Sequence, residues 1–388
     1  MYALCQKGVN FDLTTSVKPD MSKLENAYGN KIASIVDKLE KVNILESLDE
    51  PVINRIVEKG NYDITINTHG DTLPYYHYSL SKNNALTYCH FPSAKYHIDS
   101  ENLEYLRDIK ISGFTQIPDI DYSKNKEANI FDLETEHKVK KYFKFLRNKY
   151  YNMMTNTLVL TNSEYTRKAI SNAFHIDAKI LFPPVDVDTF QKIASKSNHK
   201  ENMILIISRI APDKQIENAI ELAKILRDRG TGKKGMVIAG NLHYYDEQYY
   251  QQLKKMIADY DLSDCVSLQT NISFSKLVEL MQLAKVYFHP RIDEHFGISI
   301  VEAMASGLVP IVSDVGGHTE FVPPKYHFHT LGHAADLIAS ACEATNSERR
   351  ALSNSTAKFS NSNYVLSLHR ILSELLNTDV VDTPISRS

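Results

Sequence analysis

The chain has no tryptophan, and its four cysteines, Cys5, Cys89, Cys265 and Cys342, are scattered over 388 residues. No two of them stand at metal-ligand spacing, and so sparse a set makes no disulfide framework. That excludes a zinc ribbon and a stapled extracellular scaffold, and it fits a reducing compartment. An excess of charge is missing as well: 44 Lys and Arg face 47 Asp and Glu, a net charge of −3. No global field therefore draws the protein onto nucleic acid. The longest apolar stretch, Met203–Ile207 with its neighbours, is far short of a membrane span. The start carries no charged-then-apolar leader, and no short repeat or low-complexity tract stands out. These absences together predict a cytoplasmic protein, soluble or peripheral on the cytoplasmic membrane face. What is present is ordinary globular composition, 43% hydrophobic and 23% charged, with 22 Tyr and 15 Phe as aromatic bulk. The length suits two domains.

Along the chain, short apolar runs alternate with helical periodicity. Val9–Thr14, Tyr62–Asn67, Ala85–Phe91, Thr157–Thr161 and Lys179–Phe182 read as strands, with helices over Asn26–Leu39 and Glu46–Lys59. Asn162-Ser163-Glu164 is a good helix start. Met203–Ile207 opens a second series: strands at Gly235–Ala239, Val266–Gln269, Lys285–Phe288 and Val309–Ser313, with helices at Gln215–Arg229, Asp246–Tyr260, Phe274–Leu283 and Ala335–Ala344. Such alternation implies a mostly parallel α/β sheet in each half. The polar stretch Asp186–Asn202 is expected to be the linker. The expected domains are residues 1–195, residues 196–363, and a last helix with a polar, disordered tail over 364–388. A Ser/Asn-rich connection, Asn346–Asn363, precedes that helix, Tyr364–Leu376. Unusually for a doubly wound half, the chain opens inside a helix ending at Gly8, so the first strand of the N-terminal domain is expected to be missing, either because the true start lies upstream or because this half lacks a central strand.

His137–Met154 combines Lys138, Lys140, Lys141, Lys144, Arg147 and Lys149 with apolar residues at helical spacing. It reads as a core stripe with a wet basic face, or as a peripheral contact with an anionic membrane surface.

The most informative stretch is His289 to Gly307. A buried strand ends at Phe288, Pro290 and Gly297 punctuate a loop, and Ile298–Ser306 reads as a short helix stopped by Gly307. The amides of Phe296, Gly297 and Ile298 fall at the helix start, where an anion is favoured. Glu294 lies in the loop, and Glu302 is about one turn into the helix, leaning back toward its start. Amide donors for phosphate and acids for hydroxyls in one place suit a sugar nucleotide; the alternative is a buried αβ unit with capping acids. Strand Met203–Ile207 leads into Arg209 and Lys214 at the carboxyl edge, where open α/β sheets bind ligands. Two preorganised cations there stabilise a departing diphosphate without a metal; alone they would be a surface pair. Gly316-Gly317 reads as an anion cradle or a tight turn, and Glu320 as a local cap. His90, in Cys89-His90-Phe91-Pro92, reads as a crevice residue or a satisfied strand-end histidine, and Thr68-His69-Gly70-Asp71 carries the same ambiguity.

Together, Ser208-Arg209…Lys214, Gly240, Glu294-His295-Phe296-Gly297…Glu302-Ala303-Met304-Ala305-Ser306-Gly307 and Gly316-Gly317-His318-Thr319-Glu320 resemble the second half of retaining glycosyltransferases of family 4. Tyr88-Cys89-His90-Phe91-Pro92, Thr161–Arg167 and Phe182-Pro183-Pro184-Val185-Asp186 resemble more loosely the branch adding α-1,2-mannose to lipid-linked oligosaccharides. The resemblance implies the GT-B fold: two Rossmann-like domains facing across a cleft, with the final helix crossing back. It implies that Arg209 and Lys214 hold the diphosphate, Glu294 the sugar hydroxyls, and Glu302 the ribose, with His90 near the transferred sugar. Gly240 belongs to the donor motif, and base recognition falls to backbone around Gln269 and Ile272. No cofactor or metal is expected; the partners are a nucleotide sugar and a glycan or lipid-linked acceptor. The family's opening strand and glycine-rich loop have no counterpart. A hexosyltransferase, mannose favoured, is the first reading. An impaired nucleotide-sugar-binding partner subunit and a sugar-nucleotide epimerase are the alternatives; the epimerase would need more crevice acids or histidines than the sequence offers.

Overall fold

The computed structural model describes residues 1–28, 30–69, 85–111, 117, 133–196, 200–230 and 235–376. Two units emerge. The first is built from Met1–Asn162, Thr166–Leu181 and the described part of Val365–Ser388; the second from Ser163–Tyr165 and Phe182–Tyr364.

In the first unit, β1 (Leu13–Thr15) and β2 (Val42–Ile44) form a separate parallel pair. The strands β3 (Thr65–Asn67), β4 (Ala85–Cys89), β5 (Leu158–Thr161) and β6 (Lys179–Ile180) form a parallel sheet in that order. All of β4 is buried, as a parallel strand covered on both faces must be. The helix Leu133–Thr155 buries Val139, Phe143, Leu146, Tyr150 and Met153 among Ile98, Leu106, Ile170 and Phe174. Lys138 and Lys140 pair with Glu134 and Glu136 one turn back, whereas Lys141, Lys144, Phe145 and Tyr151 are exposed. No helix among the described residues is long and apolar enough to cross a membrane. Gly70, Asp71 and the polar tail beyond Leu376 lie outside the described residues.

The second unit is a six-stranded parallel sheet in the order β12-β11-β10-β7-β8-β9. Its strands are β7 (Glu201–Ile207), β8 (Met236–Gly240), β9 (Val266–Thr270), β10 (Ala284–Phe288), β11 (Val309–Ser313) and β12 (His327–Phe328). Ile204–Ile206 and Val286–Phe288 are fully buried in its centre. Because every pair is parallel, the loops after β7, β8, β9, β10 and β11 all leave from one edge. That edge carries Arg209, Lys214, Gly240, Glu294 and Gly316-Gly317.

Two expectations need correction. The stretch expected as linker is a helix, Val187–Lys196, in the second unit. Val187, Phe190 and Ile193 recur at intervals of three and bury one face, Phe190 meeting Phe274 edge-on at 6.3 Å. The change of unit falls after Leu181, where Pro183-Pro184 stops β6, rather than at 195. The Ser/Asn-rich connection is also helical, Asn346–Ser355, started by a capping box in which Thr345 and Glu348 satisfy each other's backbone amides. Arg349 in its first turn is buried. It donates to the carbonyls of Lys285 (2.6 Å), Gly307 (3.2 Å), Ala341 (3.1 Å) and Ala344 (3.3 Å). The last helix, Asn361–Leu376, leaves the second unit, and its residues from Val365 belong to the first.

Candidate active site

The helix Ile298–Ala305 begins at Gly297, whose φ of +91° places it in the left-handed region that favours glycine. The amides of Phe296, Gly297 and Ile298 have no acceptor among the described residues. They sit at the positive end of the helix, an arrangement ready for an anion. The Phe296 ring itself is core, packed with Phe321 and Phe359 at 5.3 Å, so only its amide serves the site. The Ile298 side chain is 46% exposed.

Lys214 and Glu294, 80 residues apart in sequence, meet here: Nζ lies 3.4 Å from Oε2. The Glu294 carboxylate also accepts from the His295 amide (3.1 Å) and faces His289 Nε2 at 3.4 Å. Burial alone would raise its pKa, but His289, Lys214 and Arg291 more than offset that. It stays well below the usual carboxylate range. Arg209 is half exposed and pairs with Asp213 at 3.2 Å. The same acid lies 3.7 Å from Lys214 and 3.8 Å from Arg291. Three cations thus converge on one carboxylate. Arg291, reaching back from the loop after β10, was not among the residues expected from sequence. No local signal marks it; only the return of that loop over Asp213 does. Arg291 also faces His295, whose pKa falls to about 4 through burial and that neighbouring charge.

Glu302 stands apart from the cations. Its carboxyl has no hydrogen-bond partner among the described residues, and burial together with the nearby Asp186 charge pushes its pKa up to about 7. An unpaired, partly buried acid of this kind is a waiting acceptor for hydroxyls. Gly240 has a packing reason to be glycine: a Cβ there would sit 1.6 Å from the Ser208 carbonyl oxygen. Gln269 and Ile272 lie at the end of the edge strand β9, Gln269 donating to Ser267 Oγ at 3.4 Å and Ile272 resting against the core. Neither touches the Lys214–Glu294 cluster. His90 follows β4 in the first unit, exposed, its ring 4.8 Å from Tyr88 and its carbonyl accepting from Asn162.

Of the two readings of Gly316-Gly317, the structure shows the tight turn. The Gly317 amide donates to the Glu294 carbonyl at 2.8 Å, and Gly316 takes φ +130°. A Cβ on Gly317 would lie 1.9 Å from the His295 carbonyl oxygen. The two glycines therefore let this turn press against the 294–295 backbone and hold it in place. Glu320 accepts from the amides of Glu164 (3.0 Å) and Tyr165 (2.7 Å), so it caps a helix start distant in sequence and not the local one expected.

Residues 187–359 match the family described as Glycosyl transferases group 1. The second unit therefore carries a group 1 glycosyltransferase domain. Over 313 residues, 75% of this chain and 59% of the relative, the protein is 25% identical to the GDP-Man:Man(3)GlcNAc(2)-PP-Dol alpha-1,2-mannosyltransferase of Dictyostelium discoideum. The enzyme of the same name from Xenopus tropicalis is 30% identical over 196 residues, 48% of this chain and 40% of the relative. The chain thus spans about two fifths to three fifths of the length of these relatives. Among solved structures, a glycosyltransferase from Rickettsia africae superposes with a TM-score of 0.60 at 15% identity, covering 95% of this chain and 100% of that one. That likeness shows the fold, which is GT-B.

Proposed function

We propose that the protein is a retaining glycosyltransferase that moves a hexose, mannose favoured, from a nucleoside diphosphate sugar to a glycan or lipid-linked glycan. The observation that carries this reading is the meeting of Lys214 and Glu294 at 3.4 Å beside the unbonded amides of a helix start. A diphosphate seated there receives those amides and displaces Asp213 from Arg209, Lys214 and Arg291. As the bond to the sugar breaks, charge gathers on the leaving phosphate, and these fixed cations stabilise it. They perform the task a divalent metal would otherwise serve, and the reading includes metal independence. Glu294 orients the sugar hydroxyls, Glu302 accepts from the ribose, and backbone near Gln269 and Ile272 meets the base. A role for His90 toward the transferred sugar rests on the family resemblance alone. The donor sugar and the lipid-linked acceptor rest on the names of the relatives. A peripheral membrane contact rests on the exposed Lys141, Lys144, Phe145 and Tyr151 of the helix Leu133–Thr155.

The test is a thermal-shift screen of nucleoside diphosphates and their sugars, followed by transfer assays with radiolabelled donor, with and without EDTA. A matching donor stabilises the fold by mass action. Transfer survives EDTA and falls roughly 10²–10³-fold in Lys214→Ala, the loss typical of one removed transition-state donor. Near-wild-type transfer by Lys214→Ala would refute the assignment, and loss of transfer in EDTA would refute the metal-free part.

A further inference from the structure

Behind Glu294 lies a group of buried side chains that the proposed chemistry does not use. Tyr287, at the penultimate position of β10, is fully buried, and its hydroxyl lies 2.8 Å from Ser299 Oγ and 3.1 Å from His289 Nδ1. His289 is 3% exposed, and its amide donates to the Ile311 carbonyl at 3.0 Å, which fixes the backbone. Its other nitrogen, Nε2, makes no hydrogen bond among the described residues and faces Glu294 Oε2 at 3.4 Å. Ser299 is the second residue of the helix whose start offers the free amides. A continuous run of side chains therefore leads from the anion-binding turn, through Tyr287 and His289, to the carboxylate.

The run has a chemical logic. An ionised carboxylate only accepts, so the imidazole facing it carries its proton on Nε2, whether neutral or charged. Oε1 accepts from the His295 amide and Oε2 from Lys214, and the buried His289 Nε2 stands against Oε2 at 3.4 Å. The remaining lone pairs are left to face a ligand. We propose that His289 is a positioning residue: anchored through Tyr287 to the first turn of the helix, it fixes the orientation of the Glu294 carboxylate relative to the anion-binding amides. This rests on the reading of Glu294 as the group that orients the donor sugar, and it adds residues that act through it.

The test measures, on the full chain by calorimetry, the affinities for GDP and GDP-mannose and for UDP and UDP-glucose, using the pair that binds more tightly. In wild type the sugar-bearing ligand binds more tightly than its diphosphate. In His289→Phe, which keeps the ring volume but has no donor, the diphosphate affinity stays within about twofold. The additional affinity due to the sugar falls roughly tenfold, the weight of one charge-assisted hydrogen bond. His289→Gln, whose amide can still donate to Glu294, restores most of it, and Tyr287→Phe weakens it in the same direction. Retained sugar preference in His289→Phe overturns the proposal. So does a Gln variant that is folded by circular dichroism yet as impaired as the Phe variant, since packing would then be the cause. Wild type that binds diphosphate but gains nothing from the sugar overturns it too. Wild type that binds none of the four ligands removes the donor-site reading itself, and with it this proposal.

Discussion

Glu302→Gln separates what the fold wants from what the ligand wants. The carboxyl at 302 titrates at about 7 instead of the ordinary 4.5, because burial and the Asp186 charge disfavour its ionised form. A folded-state pKa above the unfolded value gives stability that is fully present below about pH 4.5. That stability is lost as pH rises through about 7. At 1.36 kcal/mol per pKa unit, the shift from 4.5 to about 7 corresponds to about 3 kcal/mol. The figure is an upper one, since water reaches part of the side chain. Glutamine carries no charge to desolvate, so the variant matches wild type at pH 4.5 and is the more stable of the two at pH 8.5. For a unit of this size, about 3 kcal/mol moves the midpoint by roughly 6–12 °C. Differential scanning fluorimetry of both proteins across pH 4.5–8.5 reads the difference directly, and effects of other titrating groups cancel. With a saturating nucleoside diphosphate at pH 8.5 the order narrows or reverses, because the ionised acid regains a hydroxyl partner that the amide serves less well. An equal midpoint difference at the two pH values, or a wild type more stable than the variant at pH 8.5 without ligand, would refute the reasoning.

Two further outcomes follow from the same edge of the sheet. Gly240→Ala drives a methyl group into the Ser208 carbonyl and costs about 1–3 kcal/mol, measurable by urea denaturation; a loss below ~0.5 kcal/mol would show that the strand end yields freely. Asp213→Asn removes the acid that Arg209, Lys214 and Arg291 share, so affinity for pyrophosphate rises several-fold at low salt and the gain shrinks at high salt. Unchanged or weaker binding would mean that the acid positions the cations instead of competing for them.

The second unit was far more legible in sequence than the first. Val309–Ser313 reads as a strand because all five positions are apolar or small between turn residues, and the structure gives that strand with the same bounds. Ile298–Ser306 reads as a helix and ends one residue earlier. Lys214 and Glu294 could be proposed together because a parallel sheet brings every post-strand loop to one edge. What stayed hidden depends on side-chain direction and loop return, which no periodicity encodes. His289 is a single histidine after a strand, and only the pleat turns it inward against Tyr287. Arg291 is a loop cation until the loop folds back over Asp213. Val187–Lys196 passed for a linker because its three buried residues, Val187, Phe190 and Ile193, are diluted by polar neighbours. In the first unit β1, β2 and β3 are three residues each, too short for alternation to show.

Arg349 sets a timetable for synthesis. Its guanidinium satisfies carbonyls contributed by residues 285, 307, 341 and 344, all of which leave the ribosome before it does. At about 5–20 residues per second, several seconds separate the emergence of residue 285 from that of the arginine. Until then those four carbonyls lack the donor that satisfies them in the folded domain. The domain is therefore completed only once the helix Asn346–Ser355 has emerged, and a nascent chain stalled short of this arginine is expected to be a client for chaperones.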